Sequence, residues 1–95
     1  MTGCYIIRSE KLKRYYIGAT QEDLTSRIEK HNNGSYGKQR FTSTADDWKL
    51  MLFIQTQNFA HAIRIERKIK AMKSSKYIEN LIKFHELVAQ LVSST

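Results

Sequence analysis

Ninety-five residues make one domain, 1–95, because a single core suits this length and two separate cores would each be too small to be stable. A hydrophobic fraction of 41% with 26% charged residues excludes a disordered chain, and no apolar run is long enough to span a bilayer. The formal net charge of +7 favours polyanionic partners, nucleic acid or an anionic membrane surface, without separating the two.

The opening stretch, Met1 to Arg8, lacks the long apolar run and small-residue cleavage site of a signal peptide, which points to an intracellular, cytoplasmic protein. The one cysteine, Cys4, cannot form an internal disulfide, and no CxxC or Cys/His grouping surrounds it. Cys4-Tyr5-Ile6-Ile7 and Tyr15-Tyr16-Ile17 are short, apolar and β-prone; the polar Ser9 to Lys13 between them predicts a hairpin. Gly18 ends the second strand. Thr20-Gln21-Glu22-Asp23 has the form of a capping box, with Thr20 as N-cap of a helix from about Gln21 to Asn32. Asn32 to Gly37 favours turns and left-handed backbone, so a loop follows and continues through the basic Lys38-Gln39-Arg40. Trp48 to Ile54 is nearly all apolar and predicts a buried strand covered on both faces. Phe59, Ala62, Ile65, Ile69 and Met72 recur at helical spacing with Arg64, Arg67 and Lys68 opposite, an amphipathic helix from about Asn58 to Lys73. Ile78, Leu81, Ile82, Leu87, Val88 and Leu91 supply one or two further helices. The order strand, strand, helix, strand, helix, helix describes an α+β fold in which helices flank a three-stranded antiparallel sheet.

Charged residues stand where this pattern calls for apolar ones. On the first helix Leu24 and Ile28 mark the inward stripe, and Arg27 and His31 fall on it as i,i+4 neighbours. Each alone reads better as ordinary: Arg27 snorkelling from the core edge, His31 favoured at a helix C-terminus. Glu66 falls between Phe59, Ala62 and Ile69, and a carboxylate facing the core must be paired or bound to metal. A salt bridge to Arg27 and a metal site explain it equally. Tyr15 and Tyr16 alternate across the sheet, so one hydroxyl points toward the helical charges.

Taken in order, Gly3-Cys4-Tyr5, Tyr16-Ile17-Gly18, Thr20, Arg27, His31 and Glu66 resemble the GIY-YIG nuclease superfamily, with a match from about Gly3 to Lys83. The resemblance implies a compact fold with a three-stranded antiparallel sheet and helices, and hydrolysis of DNA phosphodiesters with one divalent metal, Mg²⁺ or Mn²⁺, in DNA repair, recombination or processing. It makes Tyr5 and Tyr16 the motif tyrosines, Arg27 the essential arginine, His31 the frequent histidine of the same helix, and Glu66 the metal ligand. Cys4 departs from the usual isoleucine, a small apolar exchange in a core position. Asn80 is the only asparagine after Glu66 that could match a later family asparagine, and its flanks align poorly.

In this chemistry an in-line water attacks phosphorus and positive charge meets the developing phosphorane. The resemblance implies that Glu66 holds a largely hydrated Mg²⁺ and that Arg27 grips the phosphate with its planar fork. Tyr5 would accept the proton, which requires its pKa to fall from about 10 through nearby cations; Tyr16 would orient the water or phosphate and His31 assist the transfer. Backbone contacts are expected from some of Lys38, Arg40, Arg64, Arg67, Lys68, Lys70, Lys73 and Lys76. The partner is DNA, with RNA and a targeting protein left open. A non-catalytic nucleic-acid-binding module with the same fold is the alternative, against which the five catalytic positions argue. A basic peripheral membrane domain would instead expose an amphipathic helix and need no metal.

Overall fold

The computed structural model describes residues 1–33 and 45–95. Three strands, β1 (Gly3–Ser9), β2 (Arg14–Thr20) and β3 (Lys49–Gln55), form an antiparallel sheet in the order β2-β1-β3. Helix α1 (Leu24–Asn32) separates β2 from β3, and α2 (Phe59–Met72), α3 (Ser75–Lys83) and α4 (His85–Ser94) follow. The last apolar stretch thus makes two helices, broken at the extended backbone of Phe84. Among the described residues no helix is long and apolar enough to cross a membrane.

The alternation of β1 divides the core between two faces. Cys4 and Ile6 pack with Ile17, Ile54, Ile65, Ile69, Leu81 and Leu91 beneath α2 to α4. Tyr5 and Ile7 pack on the opposite face with Trp48 and Ala45, flanked by Tyr16, Leu24 and Ile28. The hairpin pairs Tyr5 with Gly18 and Ile7 with Tyr16, which sets both motif tyrosines on one face. Ser9 pins the hairpin loop: its hydroxyl donates to Asp47 Oδ1 at 2.6 Å and accepts from the Leu12 amide at 3.1 Å. The Ser9 bond also holds the Asp47 carboxyl below the ordinary carboxylate range.

Four expectations need correcting. Gly18 does not end the second strand but lies inside β2, paired with Tyr5. The strand through Trp48 to Ile54 is not covered on both faces: β3 is an edge strand, with Leu50 43% and Met51 40% exposed, and the central, enclosed strand is β1. An apolar run fixes a strand's preference for burial but not its place in the sheet order, and α2 packs against β2 and β1. Between Ile6 and Ile7 the register against β3 slips, leaving Met51 as an extra residue at the exposed edge. The first helix starts at Leu24, not Gln21, capped by Asp23, whose carboxylate accepts from the Ser26 amide at 3.1 Å. Thr20 is instead the last residue of β2, paired with Gly3, and its hydroxyl accepts from the Glu22 amide at 3.0 Å. Met72, placed in the apolar stripe by its spacing, is 47% exposed because α2 ends there, at the left-handed C-cap Lys73.

Candidate active site

Tyr5 lies in the middle of the sheet and is 1% exposed, with its ring laid across Gly18 of the neighbouring strand. A Cβ on Gly18 would stand 2.4 Å from both Cζ and Oη of Tyr5, so only glycine leaves the phenol this position. The Tyr5 hydroxyl and His31 Nε2 are 2.7 Å apart in the buried interior. The hydroxyl donates when Nε2 is unprotonated, and Nε2–H donates to the phenol oxygen when the proton sits on the ring. Gly18→Ala should therefore destabilise the fold by about 1–3 kcal/mol and break this pair, since a fully enclosed ring cannot step aside. Thermal melts and cleavage assays check it; a wild-type melting temperature would mean that Tyr5 has room the packing denies.

Tyr16 completes an aromatic group around that hydrogen bond. Its ring centroid is 5.0 Å from His31 and 6.4 Å from Tyr5, and it meets Trp48 edge-on at 6.4 Å. Trp48 is itself fixed from α1: Asn32 Oδ1 accepts from the Trp48 amide at 2.6 Å, and Asn32 Nδ2 donates to the Trp48 carbonyl at 3.1 Å. This two-bond bridge joins the end of α1 to the start of β3. Sequence reading missed it; the signal available was an asparagine at the last turn of a helix whose histidine faces inward.

On the other side of Tyr16 stands Lys70, its ammonium 5.4 Å from the ring centroid and 3.2 Å from Glu66 Oε1. Glu66 occupies the flank of α2, not its core-facing centre, with a side chain 20% exposed. Its charge nonetheless reaches β1. Burial pushes the Cys4 thiol up to about 12, Glu66 pushes in the same direction and Lys70 opposes, so the carboxylate lies within electrostatic range of the residue preceding Tyr5. A thiol so placed stays protonated and inert at neutral pH.

Arg27 sits one turn before His31 on α1, its side chain 25% exposed, with Glu22 Oε2 3.8 Å from its Nη1. The ion pair between Arg27 and Glu66, one of the two sequence-based explanations for Glu66, is not the pairing observed: Glu66 meets Lys70 and Arg27 meets Glu22. The fold thus gathers Tyr5, Tyr16 and His31 in direct contact, with Glu66 joined to them through Lys70. Asn80 lies part-buried on α3, where its carbonyl accepts the Phe84 amide, and no hydrogen bond among the described residues ties it to this group.

Of the basic residues, Arg64, Arg67, Lys68, Lys70, Lys73 and Lys76 are exposed, while Lys38 and Arg40 lie outside the described residues. Arg64 Nε donates to the Thr95 carbonyl at 3.0 Å. Among the described residues no three His, Cys, Asp or Glu side chains form a metal-binding group. A single reachable carboxylate still fits a magnesium ion that keeps most of its waters, and Glu66 is such a carboxylate, its partner being an exposed lysine.

The sequence matches the model of the GIY-YIG catalytic domain over residues 1–78. The chain belongs to the GIY-YIG family. Its sheet order and flanking helices are consistent with that assignment, and membership makes this GIY-YIG chain a nuclease-type domain with a nucleic-acid substrate. No curated protein and no solved structure matches it.

Proposed function

We propose that this GIY-YIG domain is a divalent-metal-dependent endonuclease that hydrolyses DNA phosphodiesters, recognising the backbone and nucleic-acid structure in preference to base sequence. The observation that carries the reading is the buried Tyr5 to His31 hydrogen bond beside Tyr16. It gives a phenol oxygen both a defined direction and an outlet for its proton. As the attacking water passes a proton to the Tyr5 oxygen, the Tyr5 proton passes to His31 Nε2, so the phenol stays neutral and the positive charge gained is carried by the His31 imidazole. Tyr16, packed against the same imidazole, orients the water or the phosphate. Arg27 grips two phosphate oxygens with its planar fork. Lys70 adds positive charge at the outer rim, where it now neutralises Glu66. Glu66 is the residue that would hold Mg²⁺ or Mn²⁺, which supplies charge to the phosphorane and the leaving oxygen.

Plasmid nicking by the purified protein tests the proposal. Nicking is expected with Mg²⁺ or Mn²⁺, lost in EDTA and restored by excess metal. Binding without nicking under any divalent cation would make the chain a nucleic-acid-binding module on a nuclease fold.

A further inference from the structure

A groove of about 560 Å³ runs between the outer edge of β2 and the corner where α2 turns into α3. Of the described residues lining it, Lys13, Arg14, Lys70 and Lys73 are cations and none is acidic. At one wall α3 begins, with Ser74 as N-cap accepting from the Tyr77 amide at 3.1 Å, so the positive end of the helix dipole lies at the cavity. At its near end stand Tyr16 and Lys70, the residues that face the Tyr5 and His31 pair and Glu66. The groove therefore shares Tyr16 and Lys70 with the candidate active site, while Tyr5, His31 and Glu66 do not line it.

Two features of the backbone converge on the same cavity. Lys13 and Lys73 are the only residues other than glycine with positive φ among those described, at 53° and 48°. One ends the hairpin turn and the other caps α2, positions where glycine or asparagine is the unstrained residue. Here both are lysine, and both line the groove. The two turns thus bring both of these lysines to one cavity.

We propose that this groove binds the phosphodiester backbone of the nucleic-acid strand beyond the scissile phosphate, with Lys13, Arg14 and Lys73 as phosphate contacts and Lys70 as the link to the reacting centre. The proposal rests on the nuclease reading for the identity of its ligand, and it narrows the basic surface to one path. Arg64 and Lys68, exposed on the outward side of α2, lie off that path.

The choice of substitutions follows from the backbone. Lys13→Gly with Lys73→Gly removes two charges while relieving two positive φ angles, so the melting temperature should stay equal or rise. Affinity for a fluorescein-labelled DNA oligonucleotide, measured by anisotropy in EDTA, should fall about tenfold. The slope of log affinity against log salt should flatten by about 1.4 to 1.8, as two lost phosphate contacts require. Arg64→Gln with Lys68→Gln should change affinity less than twofold. Should the glycine pair melt early, asparagine at both positions tolerates the same backbone and takes its place. Wild-type affinity in the Lys13 and Lys73 variant, an equal loss in the Arg64 and Lys68 variant, or no binding by the wild type would each overturn the proposal. Because binding is read without metal, a wild type that binds through Lys13 and Lys73 yet never nicks leaves the groove standing and removes only the catalytic reading.

Discussion

Tyr5→Phe should lower the rate of phosphodiester cleavage by about 10²- to 10⁴-fold, the range by which a positioned acid or base contributes. Only the hydroxyl is lost; the ring still lies across Gly18 and fills the same space in the core. The change also leaves His31 Nε2 without this partner in a site 1% exposed, a loss of about 1–3 kcal/mol. Single-turnover rates and thermal melts separate the two effects. Binding to an oligonucleotide in EDTA should be nearly unchanged, since the hydroxyl is buried away from the basic groove. Cleavage at the wild-type rate would remove Tyr5 as the proton acceptor and make a metal-bound hydroxide the better candidate.

Glu66→Gln should abolish cleavage and leave stability almost untouched. The carboxylate is 20% exposed, and its Lys70 partner, one helical turn away, is 48% exposed, so the pair contributes only about 0.3–0.5 kcal/mol after solvent screening. Had Glu66 been buried against Arg27, its removal would have stranded a cation at a cost of about 3–5 kcal/mol. Melting the wild type with and without Mn²⁺ adds an independent readout: a ligand that binds only the folded state raises the melting temperature, and the variant should lose that rise. Wild-type nicking by Glu66→Gln would end the metal-ligand assignment and with it the charge placed beside the phosphate.

How far the sequence could be read depended on whether periodicity carried the information. Alternation in β1 and β2 and the 3.6-residue stripe of α2 placed the hairpin and its covering helix, because burial leaves a repeat in the chain. Periodicity also set His31 inward, where it is found. It could not say that β3 is an edge strand, since lateral order in a sheet comes from pairing and not from the pattern of one strand. It put Glu66 inside the apolar stripe when the residue lies on its flank, an angular difference that single-residue counting does not resolve. The Asn32 bridge to Trp48 and the convergence of Lys13 with Lys73 join residues far apart in sequence, and a local pattern does not name the partner of either.

Tyr5 stands on the central strand, with β2 bonded along one side and β3 along the other. An amide in such a position exchanges with solvent only when much of the domain opens, whereas amides at fraying ends and in exposed turns are released by smaller fluctuations. The proposed proton acceptor should thus belong to the slowest-exchanging part of the molecule, while the side chains of Glu66 and Lys70, 20% and 48% exposed on the flank of α2, have solvent to move into. Adjustment to a substrate or a metal would fall to the helical groups, around a phenol that stays still.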